Sequence, residues 1–321
     1  MRPHPESLRG AHVKIVFVGA GGVGGYFGAR LAAAGADVAL VARGPHLAAI
    51  RANGIRIESP LGNLVQPIRA ESDPAAIGPV DIVFLAVKLW DVEATTRQIA
   101  PLVGPGTCVV SLQNGVEAPD MLRAAFGPER VLGGVAHIAT TIAEPGTIRH
   151  SGQMARITAG AFGRPDHPRV AEFAAIAKRA GIDAHASPDI ARAIWEKFVF
   201  LTALSAITAA TRLPKGALWR SETTRATVRR LIEESVALAR AEGVALPADQ
   251  VDKTYSFFEA IPDGMKASML HDLERGAKLE LPWLSGAVVR LSARHGLSAP
   301  THAAIVGVLA PYAEGRPNVH P

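Results

Sequence analysis

Residues 13–34 read VKIVFVGAGGVGGYFGARLAAA, and this stretch decides the fold of the chain. The apolar, β-branched run Val13–Val18 predicts a buried strand, and the alanine-rich run Tyr26–Ala34 has the composition of a helix. Between them, Gly19–Gly24 has the spacing G-x-G-x-x-G. A strand, this glycine turn and a helix, in that order, predict a dinucleotide-binding domain. The alternative is a glycine turn in an α/β domain that has no ligand.

Each glycine of this turn has its own physical role. Gly19 permits the tight turn, Gly21 lets the backbone approach a pyrophosphate, and Gly24 lets helix and strand pack closely. Free N–H groups at the start of the helix face the phosphates, and the helix dipole favours negative charge there. We therefore predict that the cofactor is bound by Gly19, Gly21, Gly22, Val23 and Gly24.

The end of the predicted second strand indicates which dinucleotide is bound. In NAD-binding domains an Asp or Glu about 20 residues past the glycines holds the ribose 2′-hydroxyl. Here the strand Asp37–Ala42 is followed by Arg43 and Gly44, so no carboxylate stands there. A guanidinium suits a 2′-phosphate, because it donates bidentate, charge-assisted hydrogen bonds. We predict NADP(H), with Arg43 as the 2′-phosphate ligand; the alternative is a solvated loop arginine.

The pattern along the chain changes near residue 168. Before it, strand-like and helical segments alternate, with a hairpin at Ile55–Ile68, and this predicts a doubly wound parallel sheet. After it, only helical segments are predicted. We expect an α/β protein with an N-terminal Rossmann-type domain and a C-terminal all-helical domain. The expected boundaries are a disordered tail 1–12, an NADP-binding domain 13–185, a helical substrate and catalytic domain 186–314, and a tail 315–321.

Composition excludes several classes of protein. The chain is 48% hydrophobic and 20% charged, as in globular proteins, and no uninterrupted apolar run is long enough for a membrane span. Residues 1–12 lack the apolar segment of a signal peptide. The single Cys108 excludes an intramolecular disulfide and a cysteine-based zinc site, so we expect a cytoplasmic protein without a metal. The net charge of +5 is spread along the chain, which favours an anionic cofactor and an acidic substrate over nucleic acid.

Two polar residues follow predicted buried strands. Lys88 follows the strand that ends at Val87, and Asn114 follows the strand that ends at Leu112. Because ligands of open α/β sheets lie beyond the carboxyl ends of the strands, both side chains are candidates for the site. The alternatives are a surface lysine for Lys88 and a simple Asn-Gly turn at Asn114.

The helical half offers Lys197, in a long helix that is apolar nearly all round. Lysine is rarely buried without a partner, so Lys197 either reaches out at the helix edge or faces a polar cleft. A desolvated lysine has its pKa lowered toward neutrality, which suits a general acid. Leu201 and Ser205 follow on the same helix face.

Ser268 and Glu280 complete the set of candidates. Gly276 lies between them as a helix C-cap, and Pro282 suits the first turn of the next helix. The chain is therefore expected to turn, so that both side chains can approach one cleft. The alternatives are an N-cap role for Ser268 and a solvated charge for Glu280.

Together these residues resemble the ketopantoate reductase (2-dehydropantoate 2-reductase) family, from Lys14 to about Pro311. The resemblance is carried by the Gly19–Gly24 turn with Arg43, by Val87-Lys88, by Ser111–Gly115, by Trp195-Glu196-Lys197 and by Ser268–Leu273 with Glu280. It implies an active site in a cleft between a Rossmann domain and a helical domain. It also implies an NADP-dependent oxidoreductase that reduces a 2-oxo acid to a 2-hydroxy acid, namely 2-dehydropantoate to pantoate in pantothenate biosynthesis.

The resemblance further implies a role for each candidate. Lys197 is the catalytic general acid, and Glu280 contacts the substrate and the nicotinamide ribose. Arg43 and Lys88 bind the cofactor. Asn114 and Ser268 bind the substrate, and we place Asn114 beside the cofactor as well.

One position departs from the family pattern. The family usually carries Asn four and eight residues after the catalytic lysine, whereas this chain has Leu201 and Ser205. Ser205 can still hydrogen-bond a substrate, but Leu201 cannot. A buried polar group left unpaired costs about 1–3 kcal/mol, which changes substrate preference without abolishing hydride transfer.

Three other functions stay open at this point. They are a reductase of the same fold for a different 2-oxo acid, a non-catalytic NADP(H)-binding protein such as a redox sensor, and an opine-type dehydrogenase. We expect a small-molecule 2-oxo acid as the partner, no nucleic acid and no membrane, and a homodimer formed through helical faces is compatible with the sequence.

Overall fold

The computed structural model describes residues 13–317, which form two compact units. The first comprises residues 13–113 together with Ala118–Ile190. The second comprises Asn114–Glu117 together with residues 191–317. The expected disordered tail, residues 1–12, lies outside the described residues. The expected tail 315–321 is described only as far as residue 317.

The first unit is built on a ten-stranded sheet. The strands are β1 (Lys14–Val18), β2 (Asp37–Val41), β3 (Ile55–Glu58), β4 (Leu64–Gln66), β5 (Arg69–Glu71), β6 (Val80–Leu85), β7 (Val103–Ser111), β8 (Val131–Glu144), β9 (Thr147–Ala161) and β10 (Asp183–Ala186). Their order in the sheet is β4-β3-β9-β8-β7-β6-β1-β2-β5, and β10 pairs with β9.

The centre of this sheet is parallel. β1 pairs in parallel with β2 and β6, so that Val16 stands opposite Ala39 and Val83, and β7 continues the parallel series to β8. Parallel neighbours need crossover connections, which the helices of this unit supply. The predicted doubly wound α/β fold is confirmed, and so is the hairpin, which β3 and β4 form.

Two features of the sheet were not predicted. β8 and β9 pair antiparallel along most of their length, and they are joined at Pro145-Gly146, where Gly146 has φ +83°. Pro-Gly is a turn signal, but the strand pattern alone does not show the direction of the next strand. The short strand β10 was also missed, because Asp183–Ala186 carries no β-branched or aromatic residue.

Helices cover the faces of the sheet in the first unit. They are α1 (Gly22–Ala33), α2 (Gly44–Asn53), α3 (Val92–Gln98), α4 (Ala118–Phe126) and α5 (Pro168–Arg179), with short 3₁₀ helices at Pro74–Ala76, Leu89–Asp91 and Ala100–Leu102. The core includes stacked rings of Phe17 and Phe84, whose centroids are 4.7 Å apart. Phe173 of α5 packs against Phe84 from the helical layer.

The described part of the second unit is helical, as predicted. Its helices are α6 (Ile190–Thr211), α7 (Lys215–Trp219), α8 (Glu222–Ala241), α9 (Gln250–Ala260), α10 (Ser268–Arg275), α11 (Ser285–Arg294) and α12 (Pro300–Leu309), with 3₁₀ helices at Leu281–Trp283 and Ala310–Tyr312. Pro282, expected in the first turn of a helix, lies in the 3₁₀ helix Leu281–Trp283, and Leu284 links this helix to α11. The helices α7 and α12 were not predicted.

The helix α6 contributes many buried residues to the core of this second unit. Its length of 22 residues and its mean hydropathy of 1.4 are those of a membrane-spanning helix. However, 61% of its apolar 18-residue segment is buried inside the protein. Phe198, Val199 and Ala203 of α6 belong to the core of the unit. Burial of most of its residues explains why this helix is so apolar.

Candidate functional site

The glycine turn of the first unit has the predicted geometry. Gly19 has φ +96°, and a Cβ there would lie 2.9 Å from the backbone of Ala86. A Cβ on Gly24 would lie 2.2 Å from the Gly19 carbonyl oxygen, so helix and turn touch at backbone level. At Gly21, by contrast, a Cβ would meet nothing within 4 Å. The turn is therefore tight on two sides and open at Gly21, where a phosphate is expected.

The start of α1 is electrostatically suited to an anion. Gly21 is the N-cap residue, no side chain caps the helix, and the first turn contains no acidic residue. The N–H groups of Gly22 and Val23 therefore lie at a helix end whose dipole is not neutralised by the protein. These features fit the pyrophosphate of a dinucleotide.

Arg43 lies beyond the end of β2, as its sequence position requires. Its side chain is 88% exposed, and its Nη2 is 3.2 Å from Oδ2 of Asp91. The sequence did not reveal this pair, because Asp91 is 48 residues away along the chain. Within residues 13–317 the guanidinium is thus oriented by Asp91 alone, and most of its donors stay accessible to a ligand.

The loops after β6 and β7 carry the next two candidates. Lys88 precedes the 3₁₀ helix Leu89–Asp91, and its Nζ lies 5.5 Å from the centre of the Trp90 ring. The strands end slightly earlier than predicted, at Leu85 and Ser111.

Gln113 holds these two strand ends together. Its Nε2 donates to the carbonyl oxygens of Leu85 at 2.8 Å and Val87 at 3.2 Å. The Ser111 hydroxyl donates to its Oε1 at 2.8 Å. Sequence reasoning did not single out Gln113, because its importance depends on contacts with the neighbouring strand.

In the second unit, Lys197 and Asn114 are in contact. The Lys197 Nζ donates a hydrogen bond of 2.9 Å to Oδ1 of Asn114. Gly115 has φ +107°, so the predicted Asn-Gly turn is present as well, but it also presents the Asn114 amide to the lysine. Lys197 is partly buried, and its Nζ is hydrogen-bonded to Asn114, which favours the polar-cleft interpretation over a snorkelling side chain.

The electrostatics of Lys197 are those of an activated amine. Burial lowers the pKa of Lys197 from 10.5 to about 8, and the negative charge of Glu280 acts in the opposite direction by raising it. Desolvation disfavours the ammonium form and a nearby carboxylate favours it, so the two effects compete at this nitrogen. Lys197 can therefore exchange a proton near neutral pH.

Glu280 is buried, with only 4% of its surface exposed. It directly precedes the 3₁₀ helix Leu281–Trp283, and its carbonyl oxygen accepts the Trp283 N–H at 3.0 Å. The alternative of a solvated charge is therefore wrong. Gly276 ends α10 in the left-handed conformation, so the chain turns before Glu280 as predicted.

Ser268 and Ser205 differ in their surroundings. Ser268 is exposed and is the first residue of α10, whose N-cap is Ala267, so the N-cap alternative for Ser268 is wrong. Ser205 is fully buried, and among the described residues its Oγ has no hydrogen-bond partner. Leu201, one turn before it, is half-buried.

Two hydroxyl residues of α6, Thr202 and Ser205, are fully buried and lack a hydrogen-bond partner among the described residues, whereas the other two bond to the helix backbone. Thr208 and Thr211 donate to the carbonyl oxygens of Leu204 and Ile207, at 2.6 and 2.7 Å. Such bonding to the preceding turn is the usual outlet for a hydroxyl inside a helix. A buried hydroxyl that lacks it is suited to a ligand or an ordered water.

The remaining reactive groups of the described residues do not form a competing site. No group of three or more His, Cys, Asp and Glu side chains in residues 13–317 is arranged to hold a metal ion. Burial raises the pKa of the Cys108 thiol, which disfavours the nucleophilic thiolate.

Comparison with known proteins identifies the family of this chain. The model of the ketopantoate reductase PanE/ApbA family matches residues 15–164, and its C-terminal model matches residues 189–313. A 2-dehydropantoate 2-reductase of Mesorhizobium japonicum is 33% identical, covering 92% of this chain and 97% of its own length.

Solved structures agree with this assignment. A PanE/ApbA family ketopantoate reductase from Ralstonia eutropha has a TM-score of 0.86 and 34% identity, over 94% of this chain and 98% of its own. A D-mandelate dehydrogenase solved with NADH and anilino(oxo)acetate has the same fold, with a TM-score of 0.86 and 20% identity, over 94% of this chain and 98% of its own. The predicted resemblance is confirmed: the chain belongs to the ketopantoate reductase family and is an oxidoreductase of the 2-hydroxy acid dehydrogenase type.

Proposed function

We propose that this protein reduces 2-dehydropantoate to pantoate with NADPH. The observation that carries the proposal is the environment of Lys197, whose pKa is lowered to about 8 and whose Nζ is hydrogen-bonded to Asn114. Relatives named 2-dehydropantoate 2-reductase support the choice of substrate.

The residues divide the chemistry between them. The Gly19–Gly24 turn would hold the nicotinamide cofactor, which when bound would supply a hydride for the carbonyl carbon. Lys197 Nζ gives a proton to the carbonyl oxygen as its negative charge develops, and it is then reprotonated from solvent. Asn114 orients the ammonium through its Oδ1, and Glu280 stabilises its positive charge. Ser205 and Ser268 are the proposed substrate-binding hydroxyls.

The direct test is turnover by the purified protein. We expect 2-dehydropantoate to drive NADPH consumption and to yield one enantiomer of pantoate in equal amount. Tight NADPH binding without turnover of any 2-oxo acid would instead identify a non-catalytic binding protein. Consumption that depends on an added amine would identify an opine-type dehydrogenase.

NADP(H) rather than NAD(H) is the proposed cofactor, because Arg43 stands where a carboxylate would hold a 2′-hydroxyl. We expect Arg43→Asp to weaken NADPH binding by about 10- to 150-fold, the equivalent of losing about 1.5–3 kcal/mol of charged hydrogen bonding. NADH affinity should stay the same or improve. Fluorescence titration of both cofactors measures the ratio.

Asp91→Asn is the matched control for this prediction. It removes the carboxylate that lies 3.2 Å from Arg43 but keeps the guanidinium itself. NADPH affinity should therefore be retained or increased. An unchanged NADPH-to-NADH ratio in Arg43→Asp would show that another residue reads the 2′-phosphate.

A reductase for a different 2-oxo acid is the second candidate function, and Leu201 is the observation that favours it. Leu201 lies one helical turn beyond Lys197, is half-buried, and cannot pair with a substrate hydroxyl. We expect Leu201→Asn to raise kcat/KM for 2-dehydropantoate relative to kcat/KM for a 2-oxo acid that has the same carbon skeleton but lacks the hydroxyl. The shift should be about 5- to 150-fold, as for one buried polar group gaining a partner.

Leu213→Asn serves as the control for Leu201, since Leu213 is an exposed leucine just after the end of α6. It should leave the ratio of the two substrates unchanged. Equal ratios in the wild type and Leu201→Asn would remove Leu201 from the determinants of substrate choice.

A further inference from the structure

His46 contacts two segments that are distant in sequence. It lies in the first turn of α2, three residues after Arg43. Its Nε2 is 2.8 Å from the carbonyl oxygen of Ala20, and its Nδ1 accepts the backbone N–H of Gly146 at 2.9 Å. An N–H can donate only to a nitrogen that has no proton, so the ring proton is on Nε2 and is donated to Ala20. One neutral tautomer satisfies both hydrogen bonds.

The Gly146 side of this arrangement is firmly held. Gly146 forms the turn between β8 and β9, and its carbonyl oxygen accepts the Arg56 N–H at 2.9 Å. A Cβ at Gly146 would lie 2.9 Å from Cβ of Ala49 on α2. The turn therefore packs against the same helix that carries His46, and it holds the imidazole in place on its Nδ1 side.

The Ala20 side reaches the phosphate-binding turn itself. Ala20 is buried between Gly19 and Gly21. Its carbonyl group and the N–H of Gly21 belong to one planar peptide unit and point in opposite directions. The hydrogen bond from His46 fixes the carbonyl, and it therefore also fixes the direction of the Gly21 N–H at the start of α1.

We propose that His46 is a positioning residue for the dinucleotide: through Ala20 it sets the orientation of the Gly21 amide, and through α2 it joins this turn to Arg43. The inference rests on the proposal that the Gly19–Gly24 turn holds the cofactor pyrophosphate. His46 touches backbone on both sides, so its effect is on cofactor affinity and not on the chemical step.

Two variants separate the two hydrogen bonds of the ring. In His46→Asn, the amide oxygen replaces Nδ1 as acceptor for Gly146, but no donor reaches Ala20. In His46→Gln, the longer side chain places an N–H near the position of Nε2 and restores the donor. We expect His46→Asn to raise the Kd for NADPH about two- to tenfold, the effect of one hydrogen bond, and His46→Gln to stay within twofold of the wild type.

Kinetic and structural readouts distinguish positioning from general damage. At saturating NADPH, kcat and the KM for the 2-oxo acid should be unchanged in both variants. His185→Gln is the matched control, because His185 is an exposed histidine of the same unit whose ring nitrogen pairs with Asp183. Its Kd for NADPH should equal that of the wild type.

A double-mutant cycle tests the link to Arg43. If His46 positions Arg43 as well as the turn, the fold-change caused by His46→Asn should be smaller in an Arg43→Ala background than in the wild type. Equal fold-changes in both backgrounds would overturn the link between His46 and Arg43.

The outcomes that overturn the proposal are specific. A folded His46→Asn with the wild-type Kd for NADPH, or equal weakening in the Asn and Gln variants, removes the role of the Ala20 hydrogen bond. If thermal unfolding shows that His46→Asn is not folded, His46→Met replaces it, since it has neither hydrogen bond and a similar volume. A wild-type protein that binds no NADPH overturns the proposed function instead.

Discussion

Lys197→Ala is expected to lower kcat by about a hundred- to ten-thousandfold, the usual contribution of a positioned general acid. The alkoxide that forms after hydride transfer then has no proton donor at the place where Lys197 Nζ stands. The affinity for NADPH should be unchanged, because the residues proposed to bind its phosphates lie in the glycine turn and at Arg43. Steady-state NADPH consumption and a separate fluorescence titration measure the two quantities.

Lys197→Arg extends this experiment. Arginine keeps the positive charge but does not release its proton in proteins, so it separates electrostatic stabilisation from proton transfer. We expect it to recover little of the lost rate. Lys253→Ala, which removes an exposed lysine of α9, is the control and should retain full activity. A Lys197→Ala variant with the wild-type kcat would remove Lys197 from the mechanism.

Loss of activity in Lys197→Ala has to be distinguished from unfolding. Burial disfavours the ammonium form of Lys197 and lowers its pKa to about 8, so alanine removes a desolvation cost, and alanine is an excellent helix former. Alanine also removes the hydrogen bond to Asn114 and the cation beside buried Glu280, and these losses act against the fold. The thermal unfolding midpoint, compared with that of the wild type, measures the balance of these effects.

The fold was predictable where local signals agree. Apolar β-branched runs, the glycine turn and alanine-rich helices each specify one kind of element, and their order specifies the parallel sheet. The antiparallel pairing of β8 with β9 was not predicted, because the direction in which two strands pair depends on contacts that the local sequence does not specify. Short elements such as β10 and α7 were not predicted, because they contain too few residues to show a hydrophobic period.

The site was predictable only in part, for the same physical reason. A lysine in an otherwise apolar helix is conspicuous, and this pointed to Lys197 without any knowledge of its neighbours. Its hydrogen bond to Asn114 spans 83 residues of sequence, and the bond from Gly146 to His46 spans 100. No local pattern encodes such contacts. The contacts of His46, Gln113 and Asp91 could therefore be identified only in the folded structure.

The pH dependence of the reaction follows from the pKa of Lys197. Reduction needs the ammonium form as proton donor, so kcat/KM should be constant at lower pH and fall as the pH rises through about 8, the lowered pKa of Lys197. In the reverse direction the neutral amine accepts the proton of the 2-hydroxy acid. Oxidation of pantoate should therefore rise through the same pH range. Profiles in both directions test this sign.

Glu280→Gln should move both profiles to lower pH. The Glu280 charge raises the pKa of Lys197 while burial lowers it, so removing the charge leaves burial less opposed. A further fall of about one pKa unit corresponds to 1.36 kcal/mol and costs reduction about tenfold on the falling limb of its profile. Loss of the contact with substrate would add a decrease that is independent of pH.

Glu274→Gln is the matched control for this shift. Glu274 is an exposed glutamate of α10 that pairs with Lys266, and its replacement should leave the limb in place. If the falling limb of the reduction profile stays at the same pH or moves to higher pH in Glu280→Gln, the group that titrates is not a Lys197 amine influenced by Glu280. A shift to lower pH in reduction and oxidation alike means that one amine acts as acid in one direction and as base in the other.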